Sequence, residues 1–193
     1  MQKGIVISNI SDLYKVEVNN EVYDCNARGK FKAGEMSPVA GDIVEIEITD
    51  EAKRAGVINK IEERRNYLKR PKMANLSQII LVLSMKLPKP DLELLDKQLV
   101  YAEYLGIKPI ICLNKIDLDS ANVASEIENT YSEIGYTVIK TDAKNGIGVD
   151  KIKQYLKNNI TAFSGNSGVG KSTLLNSLLG ENISEEGVIS KKN

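Results

Sequence analysis

The chain has 193 residues, of which 42% are hydrophobic and 27% are charged, and these proportions are typical of a globular protein. Lysine and arginine together number 26, as do aspartate and glutamate, which argues against nucleic-acid binding over the whole surface but permits a local basic face. The sequence contains no histidine, so histidine-based catalysis and histidine metal ligands are excluded within these residues.

The cysteines and the hydropathy of the sequence indicate the cellular compartment in which the protein is expected. The two cysteines, Cys25 and Cys112, lie far apart in the sequence, and we expect both to be reduced and buried, as in cytosolic proteins. The sequence shows neither a signal peptide nor an apolar run of about 18 residues. We therefore predict a cytoplasmic protein that does not enter a membrane.

Residues 1–68 are predicted to form a small all-β domain. Asn19 and Asn20 separate two strand-like segments and indicate a two-residue hairpin turn, while residues 43–48 alternate apolar and acidic side chains. A five-stranded OB-like β-barrel is the best match, and a fragment of a β-sandwich is the alternative. The five predicted strands cover residues 4–10, 13–18, 22–27, 43–48 and 55–61.

Two basic segments of this first domain have two possible roles each. A loop after the third strand carries Arg28, Lys30 and Lys32 around Gly29 and Phe31, so it either contacts RNA or is a solvated loop. A second basic run, residues 64–71, ends in Pro71 and precedes a polar stretch. We assign residues 69–76 to a linker, whose cations either face RNA or are simply solvated.

Residues 77–193 alternate strands with helices, which predicts a parallel sheet covered by helices on both faces. The strands are expected at 79–83, 109–113, 136–139 and 160–163. Asp91 is the predicted N-cap of the first helix, and Ser120 of a second helix with one apolar face formed by Val123, Ile127, Tyr131 and Ile134. Further helices are expected at 149–156 and 171–179.

The segment 165–172 reads G-x-x-x-x-G-K-S between a predicted strand and a predicted helix, which is the context of a phosphate-binding loop (P-loop). Glycines allow backbone N–H groups to surround a phosphate, and the helix directs the positive end of its dipole at the same point. Lys171 is predicted to contact the β- and γ-phosphates and Ser172 to ligate Mg²⁺. The predicted phosphate-binding residues are Gly165, Asn166, Ser167, Gly168, Val169, Gly170, Lys171, Ser172 and Thr173.

A second motif, N-K-x-D, follows a buried strand and consists of Asn114, Lys115, Ile116 and Asp117. The carboxyl ends of parallel strands are where α/β sheets bind ligands. A carboxylate there can accept hydrogen bonds from both N1–H and the exocyclic amine of guanine, whereas adenine offers neither donor in that arrangement. The motif therefore predicts selectivity for guanine.

A third segment, Asp142, Ala143 and Lys144, follows the next strand. It occupies the place where GTPases carry a small S-A-K loop whose backbone contacts the guanine oxygen, with Asp142 in the position of the serine. A generic strand-to-helix turn is the alternative interpretation.

The order of the motifs is unusual, because N-K-x-D precedes the P-loop by about 50 residues. This order, the preceding barrel, the segment 161–176 and the segment 65–71 resemble the circularly permuted GTPases of small ribosomal subunit biogenesis, the RsgA family. The resemblance implies a mixed fold, in which an OB-like barrel precedes an α/β P-loop GTPase domain that is circularly permuted and incomplete at its carboxyl terminus.

The resemblance also implies a function. It implies a monomeric GTPase that binds GTP or GDP with Mg²⁺ and acts on the small ribosomal subunit and its rRNA, with Lys171 and Ser172 as catalytic residues. Two alternatives are a nucleotide-binding RNA module without hydrolysis and an ATP-using P-loop protein.

Family members continue into switch motifs and a zinc-binding domain that this sequence lacks. We therefore expect the chain to be the amino-terminal piece of a longer protein, or a sequence shortened artificially or by a frameshift, with zinc only in the missing domain. We also expect little or no hydrolysis by the 193 residues alone and an unpaired edge on the strand before the P-loop.

Overall fold

The computed structural model describes residues 1–31 and 37–180, apart from the Lys30 side chain. The chain divides between Leu76 and Ser77 into two compact units. Both cysteines are buried free thiols, as predicted. Burial raises the pKa of the Cys25 thiol to about 11 and that of the Cys112 thiol to about 12, so both stay protonated at neutral pH.

The first unit contains a closed five-stranded barrel, which confirms the predicted barrel over the sandwich fragment. Neighbouring strands pair in the order β1-β2-β3-β5-β4, and β4 also pairs with β1 to complete the barrel. The pair β3–β5 is parallel and the others are antiparallel. The strands are β1 (Gln2–Ile10), β2 (Leu13–Val18), β3 (Glu21–Ala27), β4 (Ile43–Asp50) and β5 (Ala55–Ile61).

Alternation of side chains builds the barrel core. In β4, Val44 and Ile46 are fully buried, whereas Glu47 is exposed. The turn between β2 and β3 consists of Asn19 and Asn20, whose φ angles of 50° and 68° are those of a two-residue hairpin turn. The strand period and the turn residues therefore specify the same register.

The basic loop after β3 does not expose an aromatic side chain. Phe31 belongs to the barrel core and is 9% exposed, so its ring is not available to stack on a base. The Arg28 guanidinium lies 3.5 Å from the Glu47 carboxylate. Lys32 lies outside the described residues.

A buried ion pair fastens the segment before β4 to the segment after β5. Asp42 is fully buried, and its two carboxylate oxygens accept hydrogen bonds from Arg64 Nε at 2.7 Å and Arg64 Nη2 at 2.8 Å. The Val39 N–H donates a third bond to Asp42 at 2.8 Å, and Arg64 also donates to the Ser37 carbonyl at 2.9 Å. Hydrogen bonding to Asp42 raises the pKa of Arg64. The carboxylate is therefore both neutralised and saturated with donors.

Residues 69–76, assigned above to a linker, differ from that expectation. Strand β6 (Tyr67–Lys69) and strand β7 (Lys72–Ala74) form an antiparallel hairpin that belongs to the first unit. The reason is burial: Leu68, Met73 and Leu76 are apolar and at most 8% exposed.

Two asparagines hold the base of this hairpin. The Asn66 side chain bonds the Leu76 N–H at 2.9 Å and the Leu76 carbonyl at 3.0 Å. The Asn75 side chain accepts from the Arg65 N–H at 2.8 Å and donates to the Gly41 carbonyl at 3.0 Å. These bonds replace the ladder that a longer strand pair would provide.

The second unit has a four-stranded parallel sheet in the order β10-β9-β8-β11, within the residues that the structure describes. All seven residues of β8 are buried, as its continuous apolar run predicts. Strand β11 pairs there with β8 alone, so its other edge is open in this part of the chain. The strands are β8 (Gln78–Ser84), β9 (Lys108–Asn114), β10 (Thr137–Lys140) and β11 (Thr161–Ser164).

Four helices connect or follow these strands. Asp91 caps α1 as predicted, because its carboxylate accepts the Leu94 N–H at 2.9 Å. The predicted Ser120 cap of α2 is wrong: the Asp119 carboxylate accepts the N–H groups of Val123 at 3.0 Å and Ala124 at 2.8 Å. The helices are α1 (Leu92–Tyr104), α2 (Val123–Glu133), α3 (Val149–Leu156) and α4 (Lys171–Leu179).

Ile134, assigned to the apolar face of α2, lies just beyond the helix and is 66% exposed. None of the helices in the described ranges is long and apolar enough to cross a membrane.

Candidate nucleotide site

Three loops meet at one edge of the parallel sheet. The loop 165–170 follows β11, the turn at 115–118 follows β9 and the loop 141–147 follows β10. Because the strands are parallel, their carboxyl ends lie at the same edge, where α/β sheets bind ligands. The structure thus brings the three motifs identified in the sequence together.

Two glycines in the P-loop leave no room for a side chain. A Cβ atom on Gly165 would lie 2.3 Å from the Val82 carbonyl oxygen, and one on Gly170 would lie 2.4 Å from Asn114 Nδ2. The φ angles at these positions are +151° and +97°, which L side chains rarely adopt. The loop therefore has its curled shape because both residues are glycine.

Lys171 directs its ammonium group back into the curl of the P-loop. Lys171 Nζ donates to the carbonyl of Gly165 at 2.8 Å and to that of Asn166 at 2.9 Å. Burial lowers the pKa of this ammonium. A phosphate inside the curl would meet this positive charge directly.

The amino terminus of α4 adds backbone donors. Gly170 is its N-cap and supplies no side-chain bond, and the Leu174 N–H reaches back to the Gly170 carbonyl at 2.9 Å. By helix geometry, the N–H groups of Lys171, Ser172 and Thr173 lie in that first turn and have no acceptor within the helix. They can therefore bind an anion.

The side chains around this helix end differ in exposure. Ser172 and Thr173 are exposed, as are Asn166, Ser167 and Gly168, whereas Val169 is buried at 3% exposure. The Ser172 hydroxyl has no hydrogen-bond partner among the described residues. A free hydroxyl beside a phosphate pocket fits a Mg²⁺ ligand, because this cation prefers oxygen donors together with phosphate.

Asn114 links the P-loop to the loop after β10. Its side chain is buried at 2% exposure, and its Nδ2 donates to the Val169 carbonyl at 3.0 Å. Its Oδ1 accepts from Thr141 Oγ1 at 3.0 Å and from the Ala143 N–H at 3.1 Å. One amide group therefore sets the distance between the loops predicted to hold the phosphates and the base.

Lys115 makes a second link to the P-loop. Its ammonium donates to the Gly168 carbonyl at 2.6 Å and to the Leu87 carbonyl at 2.5 Å, and its backbone is left-handed with a φ angle of 59°. The Ile116 N–H bonds the Thr141 carbonyl at 3.3 Å. The first three residues of the N-K-x-D motif thus hold the site together.

Asp117 differs from the rest of its motif. It lies in a short 3-10 turn, Ile116–Leu118, and is exposed, and its carboxylate has no partner among the described residues. Asp119, two residues later, is occupied with the α2 cap. Asp117 is therefore the carboxylate of this turn that remains available to a ligand.

In the third segment, residues 142–144, the Asp142 side chain stabilises the loop itself. The Asp142 carboxylate is buried and accepts from the Asn145 N–H at 3.2 Å and from Asn145 Nδ2 at 2.5 Å, so it stabilises its own turn. The Ala143 N–H is bonded to Asn114, and Lys144 is exposed. A nucleotide contact by these residues stays a prediction.

Thr141 is a site residue that sequence reasoning did not assign. It is fully buried, its hydroxyl donates to Asn114 and also lies 3.3 Å from Cys112 Sγ, and its carbonyl accepts the Ile116 N–H. The sequence signal that could have identified it is a hydroxyl residue directly after the apolar strand β10. The neighbouring strand β9 also ends in a polar residue, Asn114.

Comparison with known proteins agrees with this arrangement. The family model described as RsgA GTPase matches residues 61–193, and the one described as RsgA N-terminal domain matches residues 3–58. The chain belongs to the RsgA GTPase family. It is 43% identical over 190 residues to the small ribosomal subunit biogenesis GTPase RsgA of Clostridium acetobutylicum, a match that covers 98% of this chain and 65% of that protein.

Another RsgA relative, from Alkaliphilus metalliredigens, is 43% identical over 192 residues, which is 100% of this chain and 66% of that protein. The crystal structure of YjeQ from Thermotoga maritima matches with a TM-score of 0.81 and 39% identity, covering 92% of this chain and 64% of that one. The structure of YloQ, described as a circularly permuted GTPase, matches with a TM-score of 0.77 and 34% identity, covering 92% and 63%. This RsgA-family chain thus spans just under two thirds of the length of the relatives that it matches. The match to a circularly permuted GTPase confirms the predicted permuted order of the motifs.

For this RsgA-family site we expect Gly170→Ala to lower guanine-nucleotide affinity at least about tenfold, because the added Cβ both strains a positive φ and displaces Asn114. Gly135→Ala is the matched control: its φ angle is +96° and no atom lies within 4 Å of the added Cβ. Titration with a fluorescent GDP derivative compares the two variants. Equal affinities would show that the contact with Asn114 does not matter.

Proposed function

We propose that this protein binds GTP with Mg²⁺ as part of a GTPase that acts in maturation of the small ribosomal subunit. The observation that carries the proposal is the set of bonds made by Asn114, which joins the P-loop to the loop after β10 through one buried amide. Such a joint would fix the spacing between the proposed phosphate pocket and the proposed base pocket, and one guanosine nucleotide would span that spacing.

The phosphate end of the site would be formed by residues 165–173. The glycine curl and the N–H groups that open α4 would surround the β- and γ-phosphates, and the Lys171 ammonium would exchange its two carbonyl partners for phosphate oxygens. Ser172 would hold Mg²⁺, which neutralises charge on the phosphates when bound. A preorganised positive pocket of this kind also favours the charge that develops during phosphoryl transfer.

The base end would be formed by the turn after β9. The unpaired Asp117 carboxylate would accept two hydrogen bonds from guanine. The Lys115 side chain supports the turn from the P-loop side, so its role is to position the turn. The loop 142–144 would close over the base through its backbone.

The name of the Clostridium acetobutylicum relative, small ribosomal subunit biogenesis GTPase, supports the proposed partner. The match of residues 3–58 to the RsgA N-terminal domain supports giving the barrel a part in the same process. We propose that the first unit meets rRNA of the small subunit in the cytoplasm, that the protein acts as a monomer, and that the second unit reports which nucleotide is bound.

The test uses the 193-residue chain. In competition against a fluorescent GDP derivative, GTP should displace the probe at least about 100-fold better than ATP, and chelating Mg²⁺ should weaken GTP binding. A second measurement uses a longer protein that also carries the switch motifs: its affinity for isolated small ribosomal subunits should differ about fivefold or more between GDP and a non-hydrolysable GTP analogue, since a switch requires a differential. Equal competition by ATP would refute the base assignment, and equal subunit affinity with both nucleotides would indicate a binding module without a switch.

A further inference from the structure

Three cations surround the turn of the β6–β7 hairpin. Lys69, Arg70 and Lys72, here called the hairpin tip, are all exposed. None of the three makes an ion pair or a side-chain hydrogen bond with the described residues. The hairpin tip is therefore a concentrated and uncompensated positive charge.

The other described cationic side chains of the first unit are occupied. Arg65 donates to the backbone carbonyls of Asn75 and Leu76. The remaining ones lie within 3.5 Å of carboxylates of the same unit, in the pairs Lys3–Glu62, Lys15–Asp24, Arg28–Glu47, Lys53–Asp50, Arg54–Glu21, Lys60–Glu62 and Arg64–Asp42. Among the described cationic side chains of this unit, those of the hairpin tip are thus the ones that have neither a carboxylate nor a hydrogen-bond partner.

The geometry of the hairpin keeps these charges together. Lys69 lies directly opposite Lys72 in the strand pair, and like charges in that arrangement are destabilising. The strands cannot separate to relieve the repulsion, because Leu68 and Met73 are buried one pair further along. A bound anion would offset the repulsion, and this is the situation in which a basic surface gains most from a polyanionic partner.

We infer that the hairpin tip contacts the phosphate backbone of RNA. The inference rests on the proposed function in taking small-subunit rRNA as the polyanion. Tyr67, the aromatic residue of the hairpin, lies under the Arg64 guanidinium at 4.8 Å and is half-buried, so the tip presents charge and no free ring. The contact is therefore with phosphates and does not depend on base sequence.

The experiment measures binding of the full chain to a transcript of small-subunit rRNA across a range of salt concentrations. The variant K69Q/R70Q/K72Q should lose at least about tenfold in affinity, and the slope of log affinity against log salt should fall by about 2–3. The charge-preserving variant K69R/R70K/K72R should bind as the parent does. The control K15Q/K53Q/R54Q removes the same number of charges from exposed pairs of the barrel and should change affinity less than threefold.

The outcomes separate this inference from the proposed function. If the parent binds rRNA and the two glutamine triples weaken binding equally, the hairpin tip has no special role, while GTP selectivity can still hold. If ATP competes as well as GTP but the hairpin triple alone loses rRNA, the nucleotide assignment fails and the RNA surface stands. Binding to anionic phosphatidylserine vesicles in place of rRNA, or no binding of rRNA by the parent, would overturn the inference.

Discussion

Replacing Asp117 with Asn should lower the affinity for GTP about 100-fold or more and shift the preference toward xanthosine triphosphate. The carboxylate is unpaired among the described residues, so the substitution breaks no contact within that part of the chain. In the proposed nucleotide complex it would remove two charge-assisted bonds to guanine and place an amide N–H against the guanine donors. Xanthine carries a carbonyl in place of the exocyclic amine, which the new N–H can meet.

The control for this substitution is Asp150→Asn, which makes the same chemical change at an exposed position in the first turn of α3. Competition titrations with GTP, xanthosine triphosphate and ATP should leave this control within about twofold of the parent. An Asp117→Asn protein that keeps the parent's base preference would rule out the assignment of this turn to the base.

Replacing Arg64 with Met should lower the free energy of unfolding of the barrel by about 3–5 kcal/mol. The substitution leaves the fully buried Asp42 carboxylate without its cation and with one remaining backbone donor, the Val39 N–H. Removing one partner of a buried pair costs more than the pair itself contributes, because an uncompensated charge stays in a poorly solvated site. Hydrogen exchange of the barrel amides in moderate urea measures the change for this unit alone.

The comparison variant is Arg54→Met, which breaks the exposed pair with Glu21 at 3.1 Å and should cost less than about 1 kcal/mol. The double variant D42N/R64M should recover part of the loss, because it removes the buried charge together with its partner. Equal destabilisation by the two single substitutions would mean that burial of Asp42 has no energetic consequence.

The elements that the sequence predicted well are those in which the hydrophobic periodicity and the residue types indicate the same structure. The alternation of Val44 and Ile46 with glutamates specified one strand of a barrel, and the unbroken apolar run of β8 specified a strand covered on both faces. The P-loop segment and the N-K-x-D turn were also recognisable, because each has characteristic residue types at a fixed spacing after a strand. Asp91 and Gly170, which begin α1 and α4, were recognisable because the requirements of a helix start are local in the sequence.

The differences arose where distant contacts decide the outcome. Residues 69–76 are polar enough to suggest a linker. In the structure, the side chains of Asn66 and Asn75 form hydrogen bonds to the backbone, and these bonds could not be predicted from the sequence pattern. Ser120 and Asp119 are both acceptable caps, and the geometry of the preceding 3-10 turn selected Asp119. The roles of Asn114 and Lys115 as links to the P-loop follow from the juxtaposition of β9 and β11 around β8, which local patterns do not contain.

The buried Asn114 amide limits how this pocket can change over generations. Its nitrogen serves Val169 and its oxygen serves Thr141 and Ala143. Aspartate has the same shape but would turn a negative charge toward the Val169 carbonyl, and glutamine is one methylene too long for a position that is 2% exposed. A substitution of Asn114 would therefore disturb the P-loop and the loop after β10 together, whereas a substitution of Asp117, whose carboxylate has no partner among the described residues, would leave the contact between them intact.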